Sequence, residues 1–302
     1  MRPYLLFVSG VAGLAGMVLN WEMEPPMDWR LSVFAFFFLA YGLGQALTDC
    51  FQTDTDRISA PYRPLSRDLV TPVSVGVVSL AGLGFVGVIL VWANVWNLPF
   101  ALLSVFGLVT YSFFKRHWIA GPFYNAWIFT LLPIMGFLSL SDATLVSLLH
   151  QPAQFYYLLG LTFFSYSNFV LMGYLKDISA DRATGYQTFP VVFGWDATVW
   201  LGDLFALLSM VFVVLCLPED WGAYTLFAAG SLIAVAGQSF AHLSRNKTES
   251  NAAFPVTATV RSLILWHLAL LPGHWEDGIW FALLYYIAFE LVLRQRPEKN
   301  QI

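Results

Sequence analysis

Two short stretches carry the residues of this chain most able to do chemistry. The first reads Thr48-Asp49-Cys50-Phe51-Gln52-Thr53-Asp54-Thr55-Asp56 and runs into Pro61-Tyr62-Arg63-Pro64. The second reads Lys176-Asp177-Ile178-Ser179-Ala180-Asp181-Arg182. At a helical 100° per residue, Asp49, Gln52, Thr53 and Asp56 fall on one stripe and Asp54 points away, while Asp177 and Asp181 form an i, i+4 pair on one face. Like-charged carboxylates at this spacing repel, and a divalent cation removes the conflict. Such oxygen ligands suit Mg²⁺, which keeps several waters and takes one or two carboxylates plus substrate phosphates. Arg63, Lys115, Arg116, Lys176 and Arg182 are available to meet phosphate oxygens, arginine bidentately and lysine as a point charge. The chemistry this suggests is capture of a diphosphate through metal.

The elements that must hold these residues are membrane helices. Of 302 residues, 58% are hydrophobic and only 11% charged, against about a quarter charged in soluble domains; mean hydropathy is +0.65. Apolar runs near the roughly 20 residues that a span needs lie near 3–20, 31–51, 71–94, 97–114, 121–141, 154–175, 196–217, 222–243, 256–272 and 277–294. The ninth is the weakest, interrupted by Arg261 and His267. Small residues in the first, from Gly10 to Gly16, permit close helix packing in lipid.

Loop charges orient the chain. With a cytoplasmic N-terminus, Arg57, Arg63, Arg67, Lys115, Arg116, Lys176, Arg182, Arg245 and Lys247 fall on the inner side, joined by Arg2, Arg294, Arg296 and Lys299. That places 13 of 15 basic residues inside, with Arg30 outside and Arg261 unassigned, while Glu22, Glu24, Asp28, Glu219, Asp220, Glu276 and Asp277 lie outside. Ten spans with both termini and both aspartate clusters cytoplasmic are therefore expected, in a cell or organelle inner membrane. The net charge of −4 is spread over short loops, and no nucleic-acid partner is expected. Cys50 and Cys216 make neither a disulfide framework nor a zinc spacing, and no cleavable signal sequence is expected. Taken singly, an aspartate at a span's end is ordinarily interfacial and inner-loop basic residues ordinarily set topology. Asp203, Glu290 and His267 are read in that way, the first two as interfacial and the last as a packing residue.

Taken together, the motifs resemble the UbiA superfamily of intramembrane prenyltransferases. Thr48-Asp49-x-x-Gln52-x-x-x-Asp56 with Pro61-Tyr62-Arg63-Pro64 is similar to that family's NDxxDxxxD motif and the turn after it. Asp177-x-x-x-Asp181-Arg182-Ala183-Thr184-Gly185, continued by Gln187 to Gly194, is similar to its second motif. Tyr111 to Arg116 and Arg2-Pro3 also fit. The resemblance implies an all-α bundle of nine transmembrane helices around a central cavity, residues 1–272 here, with residues 273–302 adding a tenth helix and a basic tail. It further implies two Mg²⁺ ions held by Asp49, Asp56, Asp177 and Asp181, which are then the catalytic residues. The diphosphate would meet Gln52, Arg63, Lys115, Arg116, Lys176 and Arg182. The prenyl group would pass to a lipophilic, commonly aromatic, acceptor, for which Tyr111, Tyr166 and Asn168 are the contact candidates.

The first motif departs from the family pattern twice: Thr48 stands for asparagine and Gln52 for the middle aspartate. Gln52 offers a carbonyl oxygen without charge, which weakens a Mg²⁺ site. Prenyl transfer is the leading reading. A terpene cyclase on the same scaffold, needing no acceptor, and a non-catalytic lipid- or partner-binding membrane protein are the alternatives.

Overall fold

In lipid every backbone N–H and C=O must be bonded within the chain, so apolar runs become helices. The computed structural model describes residues 3–20, 26–118 and 120–295. Arg2, Glu22, Glu24, Arg296 and Lys299, used above for orientation, lie outside the described residues. A 3-10 turn at Pro3–Leu5 leads into α1 (Leu6–Val18), followed by α2 (Met27–Asp49), α3 (Thr53–Ser59), α4 (Pro72–Ala93), α5 (Asn97–Lys115), α6 (Ala120–Ser139) and α7 (Leu145–Leu148). Then come α8 (Ala153–Gly173), α9 (Ile178–Ala183), α10 (Phe189–Cys216), α11 (Trp221–Leu243), α12 (Ala253–Leu268) and α13 (Gly278–Arg294). No strand occurs among the described residues. Seven helices, α2, α4, α5, α6, α8, α10 and α11, are long and apolar enough to cross a membrane. The protein is an integral, multi-pass membrane protein.

The helix ends follow local chemistry. Thr71 caps α4 by accepting from the Ser74 N–H, ahead of Pro72 in the first turn. Asp220 caps α11 by accepting from the N–H groups of Gly222 and Ala223, at 2.7 and 3.1 Å. Helix α10 starts earlier than the sequence predicts, at Phe189, and bends at Gly194, whose φ of 80° favours glycine. The buried α1 packs on α2, α6 and α12. At its contact with α6 a Cβ on Gly16 would strike the Pro133 backbone, and one on Gly136 would strike the Gly13 carbonyl, so these helices meet backbone to backbone.

The weak ninth segment is α12. Arg261, unassigned by loop charge, makes a bidentate pair with Glu290 of α13 at 2.5 and 2.8 Å. Glu290 is thus paired between helices, a partner that loop charge did not assign. His267 bonds Thr162 at 3.0 Å and the Leu263 carbonyl at 2.8 Å, the packing role expected of it. The tenth long helix, α13, is fastened to the first: the Tyr285 hydroxyl donates to the Phe7 carbonyl at 2.5 Å, and the Phe7 ring meets Tyr285 and Phe289 edge-on.

Two interruptions bear on the site. α2 stops at Asp49 and α3 begins at Thr53; α8 stops at Gly173, and a 3-10 turn at Tyr174–Lys176 precedes α9. The continuous helical stripe expected for Asp49, Gln52 and Asp56 is therefore broken at residues 50–52. α3 and α9 pack against each other, joined by the hydroxyls of Thr55 and Thr184 at 3.2 Å.

Candidate active site

Helices α2, α4, α5, α6 and α8 surround a cavity of about 1380 Å³, its open end included. Phe37, Val86, Leu90, Leu108, Ile128, Leu132 and Met135 give it an apolar body. Asp49, Gln52, Asp56, Arg63, Lys115, Lys176 and Asp177 line it where α2, α5 and α8 end. The break after Asp49 explains how the first cluster still converges. Gln52 adopts φ −127°, ψ 22° as the residue before α3, so the chain turns between Asp49 and Asp56 while all three side chains keep the cavity. Arg63 forms an ion pair with Asp56 and lies 3.5 Å from Asp49. Gln45, one turn before Asp49, donates to it at 2.7 Å. A single guanidinium thus serves both carboxylates of the first cluster.

The second cluster divides. Asp177 precedes α9 with φ −115°, ψ 13°, outside helical geometry, and lines the cavity. Its carboxylate takes part in no hydrogen bond or salt bridge among the described residues. Asp181, one turn on, is fully buried and absent from the cavity wall. The shared face expected for this pair is not formed, because the turn at Asp177 lies outside the helix. Asp181 Oδ2 accepts from the Thr188 hydroxyl at 3.0 Å, and Oδ1 lies 3.5 Å from Lys115 Nζ. Burial pushes the Asp181 carboxyl up to about 6, and the Lys115 ammonium opposes that rise.

Lys115 ties the clusters together. Its ammonium donates to Gln52 Oε1 at 3.1 Å, faces Asp181, and sits over the rings of Tyr186 and Tyr174 at 5.2 and 5.6 Å. Gln52, the residue that departs from the motif, is thus the acceptor that lets one buried lysine span both clusters.

Tyr111 and Tyr166 also line the cavity. The Tyr111 and Tyr174 hydroxyls are 2.9 Å apart, and Tyr166 stacks on Phe129 with centroids 3.9 Å apart and planes 8° from parallel. Three other sequence candidates lie off the cavity wall. Arg116 is half exposed, 3.6 Å from Asp54 and over the Tyr186 ring at 4.8 Å; Arg182 is exposed. Asn168 is buried on another side of α8, where Gln238 of α11 approaches it at 3.5 Å. Sequence reasoning passed over Gln45, Tyr41, Tyr174 and Thr188. Of these only Gln45 carried a signal, its i, i+4 spacing to Asp49.

The donors fit a Mg²⁺ ion completed by water and phosphate. The Asp177 carboxylate lines the cavity with no hydrogen bond among the described residues, whereas Asp181 Oδ1 is turned to Lys115 and is not offered to the cavity. Among the described residues no three acidic, histidine or cysteine side chains come together as a group able to hold a metal by themselves. A hard cation sharing its shell with substrate does not need one.

Comparison with known proteins establishes the family and the fold. The model of the UbiA prenyltransferase family matches residues 9–267. The digeranylgeranylglyceryl phosphate synthase of Thermococcus kodakarensis is 26% identical over 212 residues, covering 70% of this chain and 73% of that protein. Among solved structures, a UbiA homolog from Aeropyrum pernix K1 superposes with a TM-score of 0.72 at 16% identity, covering 87% of this chain and 96% of that one. A UbiA homolog from Archaeoglobus fulgidus bound to DMAPP and Mg²⁺ gives 0.64 at 14% identity, covering 88% and 96%. With the family model spanning all but the ends of the chain, this protein belongs to the UbiA family of prenyltransferases.

Proposed function

We propose that this protein transfers a prenyl group from a polyprenyl diphosphate to a lipophilic, aromatic acceptor within the membrane, with Mg²⁺ as cofactor. One observation carries the reading: a single cavity joins a charged end, with Arg63, Lys115, Lys176 and Asp177, to an apolar body of prenyl-like chemistry. Asp49, Asp56 and Asp177, with the Gln52 carbonyl, would hold the metal, while Asp181, buried off the cavity wall, would position Lys115. When bound, Mg²⁺ supplies charge neutralisation that helps a diphosphate leave. Arg63 and Lys176 hydrogen-bond and orient phosphate oxygens, and Lys115 adds a fixed positive charge from behind. The apolar body takes the prenyl chain and keeps water from the reacting carbon. The stacked Phe129–Tyr166 pair presents aromatic surface on the cavity wall, suited both to a developing allylic cation and to a flat acceptor. In this reading residues 1–272 form the catalytic bundle, α13 is an addition to it, and the charged end and both termini face the cytoplasm.

Purified protein incubated with Mg²⁺ and geranylgeranyl diphosphate, with and without phenols and glyceryl phosphate ethers, tests this. Prenylated phenol and stoichiometric diphosphate are expected. Diphosphate release without acceptor, alongside a cyclic product, would instead establish a terpene cyclase. No release with any chain length would overturn the enzyme reading.

A further inference from the structure

The second cluster begins on a helix whose start is capped from elsewhere in the chain. Asp177 immediately precedes α9, the position at which an aspartate ordinarily turns its carboxylate back to accept from a backbone N–H two or three residues on. Among the described residues it makes no such bond, and its side chain lines the cavity instead. The N–H groups of a first helical turn have no partner within their own helix, so another group must take them. Here that group is Glu249, 70 positions away in the connection between α11 and α12.

One oxygen of the Glu249 carboxylate accepts from the Ser179 N–H, and the other accepts from the Ser179 hydroxyl at 2.9 Å. Ser179 lies two residues after Asp177, within the reach that the Asp177 carboxylate would itself have. A negative side chain is also favoured at the positive end of a helix. Glu249 is fastened on both sides. Lys247 pairs with both carboxylate oxygens of Asp196 on α10, at 2.5 and 2.6 Å. Ala252, at the end of the 3-10 turn Glu249–Ala252, is fully buried. The far end of α9 has separate ties: Thr184 meets Thr55 of α3, and the Gln187 N–H donates to the Arg116 carbonyl at 3.0 Å. Glu249 secures its start.

We propose that Glu249 is a positioning residue, which caps α9 in place of Asp177 and so leaves the Asp177 carboxylate to the cavity. Aspartate is among the best capping side chains. With Glu249 removed, Asp177 is free to turn back onto its own helix and withdraw from the ligand space. The α11–α12 connection thereby belongs to the active site, although it contributes no group to the cavity wall. The consequence for metal rests on the function proposed above; the exchange of caps does not.

The test uses the full chain, comparing wild type with Glu249→Ala and Glu249→Gln. Calorimetric binding of geranylgeranyl thiodiphosphate, an unreactive diphosphate, is followed as Mg²⁺ is raised. Glu249→Ala should raise the Mg²⁺ concentration for half-maximal binding about fivefold, the worth of one cap, and leave affinity at saturating Mg²⁺ within about twofold. Glu249→Gln keeps a carbonyl able to accept from the Ser179 N–H and should restore the midpoint. A midpoint unchanged in Glu249→Ala would overturn the proposal; one shifted equally in both variants would too, because charge rather than capping would then be responsible. Amide hydrogen exchange over residues 178–183, without metal or substrate, tests the cap separately. On an Asp177→Ala background, Glu249→Ala should speed exchange of the Ser179 amide about fivefold, and with Asp177 present to take over the cap the increase should be smaller. An equal increase on both backgrounds, or none, also overturns it. A wild type whose binding ignores Mg²⁺ would refute the metal role of Asp177, while the exchange comparison would still decide which carboxylate caps α9.

Discussion

The two aspartate clusters look alike on paper and differ in the folded chain. In the first, Asp49, Gln52 and Asp56 all line the cavity, and one guanidinium, Arg63, lies against both carboxylates. In the second, Asp177 lines the cavity without a hydrogen bond among the described residues, while Asp181 is buried against Lys115 and Thr188. The first cluster is a set of side chains converging on one space. The second is one ligand backed by a buried ion pair. A carboxylate can therefore matter by facing the substrate or by holding a cation that does, and motif spacing alone does not separate the two.

The largest effect is expected at Asp177, the carboxylate that lines the cavity with no hydrogen bond or salt bridge among the described residues. Asp177→Asn should lower turnover by about 10²–10³-fold, the scale of losing one electrostatic group at the reacting centre; activity within threefold of wild type would remove it from the site. Next comes the buried pair. Lys115→Met should cost about 3–5 kcal/mol in thermal unfolding, because it strands the Asp181 charge, and adding Asp181→Asn should recover part of that loss. If the double variant is as unstable as the single one, the pair is not what holds the clusters together. Gln52→Asp is expected to act more mildly, lowering the Mg²⁺ concentration for half-maximal turnover roughly tenfold, as changes next to metal ligands commonly do. A rise would show that Gln52 serves by accepting from Lys115 rather than by standing in for a ligand. The pH profile sharpens the same contrast. Asp181, pushed up to about 6, loses its charge as pH falls through that value, so turnover at limiting Mg²⁺ should show an acid limb near pH 6 that Asp181→Asn lacks. Arg116→Ala and Arg182→Ala, off the cavity wall, should change turnover least, by less than about threefold, in line with exposed sites generally.

Much of the scaffold was legible in the sequence. Each of the ten apolar segments holds a helix, seven of them long and apolar enough to cross a membrane, because in lipid the hydropathy pattern and the backbone's need for internal bonds act together. The break at residues 50–52 was not legible, since helical periodicity continues through it and only packing shows that α3 turns toward α9. The bend at Gly194 looked like any small residue in a span until its φ of 80° was seen. For the site, residue types and spacing located both clusters and Arg63. They did not reveal that Gln52 and Lys115, 63 positions apart, share a hydrogen bond, or that Asp181 is buried behind that lysine. Arg116, Arg182 and Asn168 had the right chemistry near the right motifs, but helix rotation sets them off the cavity wall, and no local pattern encodes that rotation. Asp203, read as interfacial, is paired with His242 from another helix for the same reason.

The most direct measurement is calorimetric binding of geranylgeranyl thiodiphosphate, an unreactive substrate mimic, to the purified protein with Mg²⁺ and with EDTA, in wild type and Asp177→Asn. Two clusters acting on one metal-bound diphosphate predict binding at least about tenfold tighter with Mg²⁺, equivalent to 1.4 kcal/mol, and loss of that difference in the variant. Equal affinity with Mg²⁺ and EDTA, or a Mg²⁺ effect intact in Asp177→Asn, would contradict it.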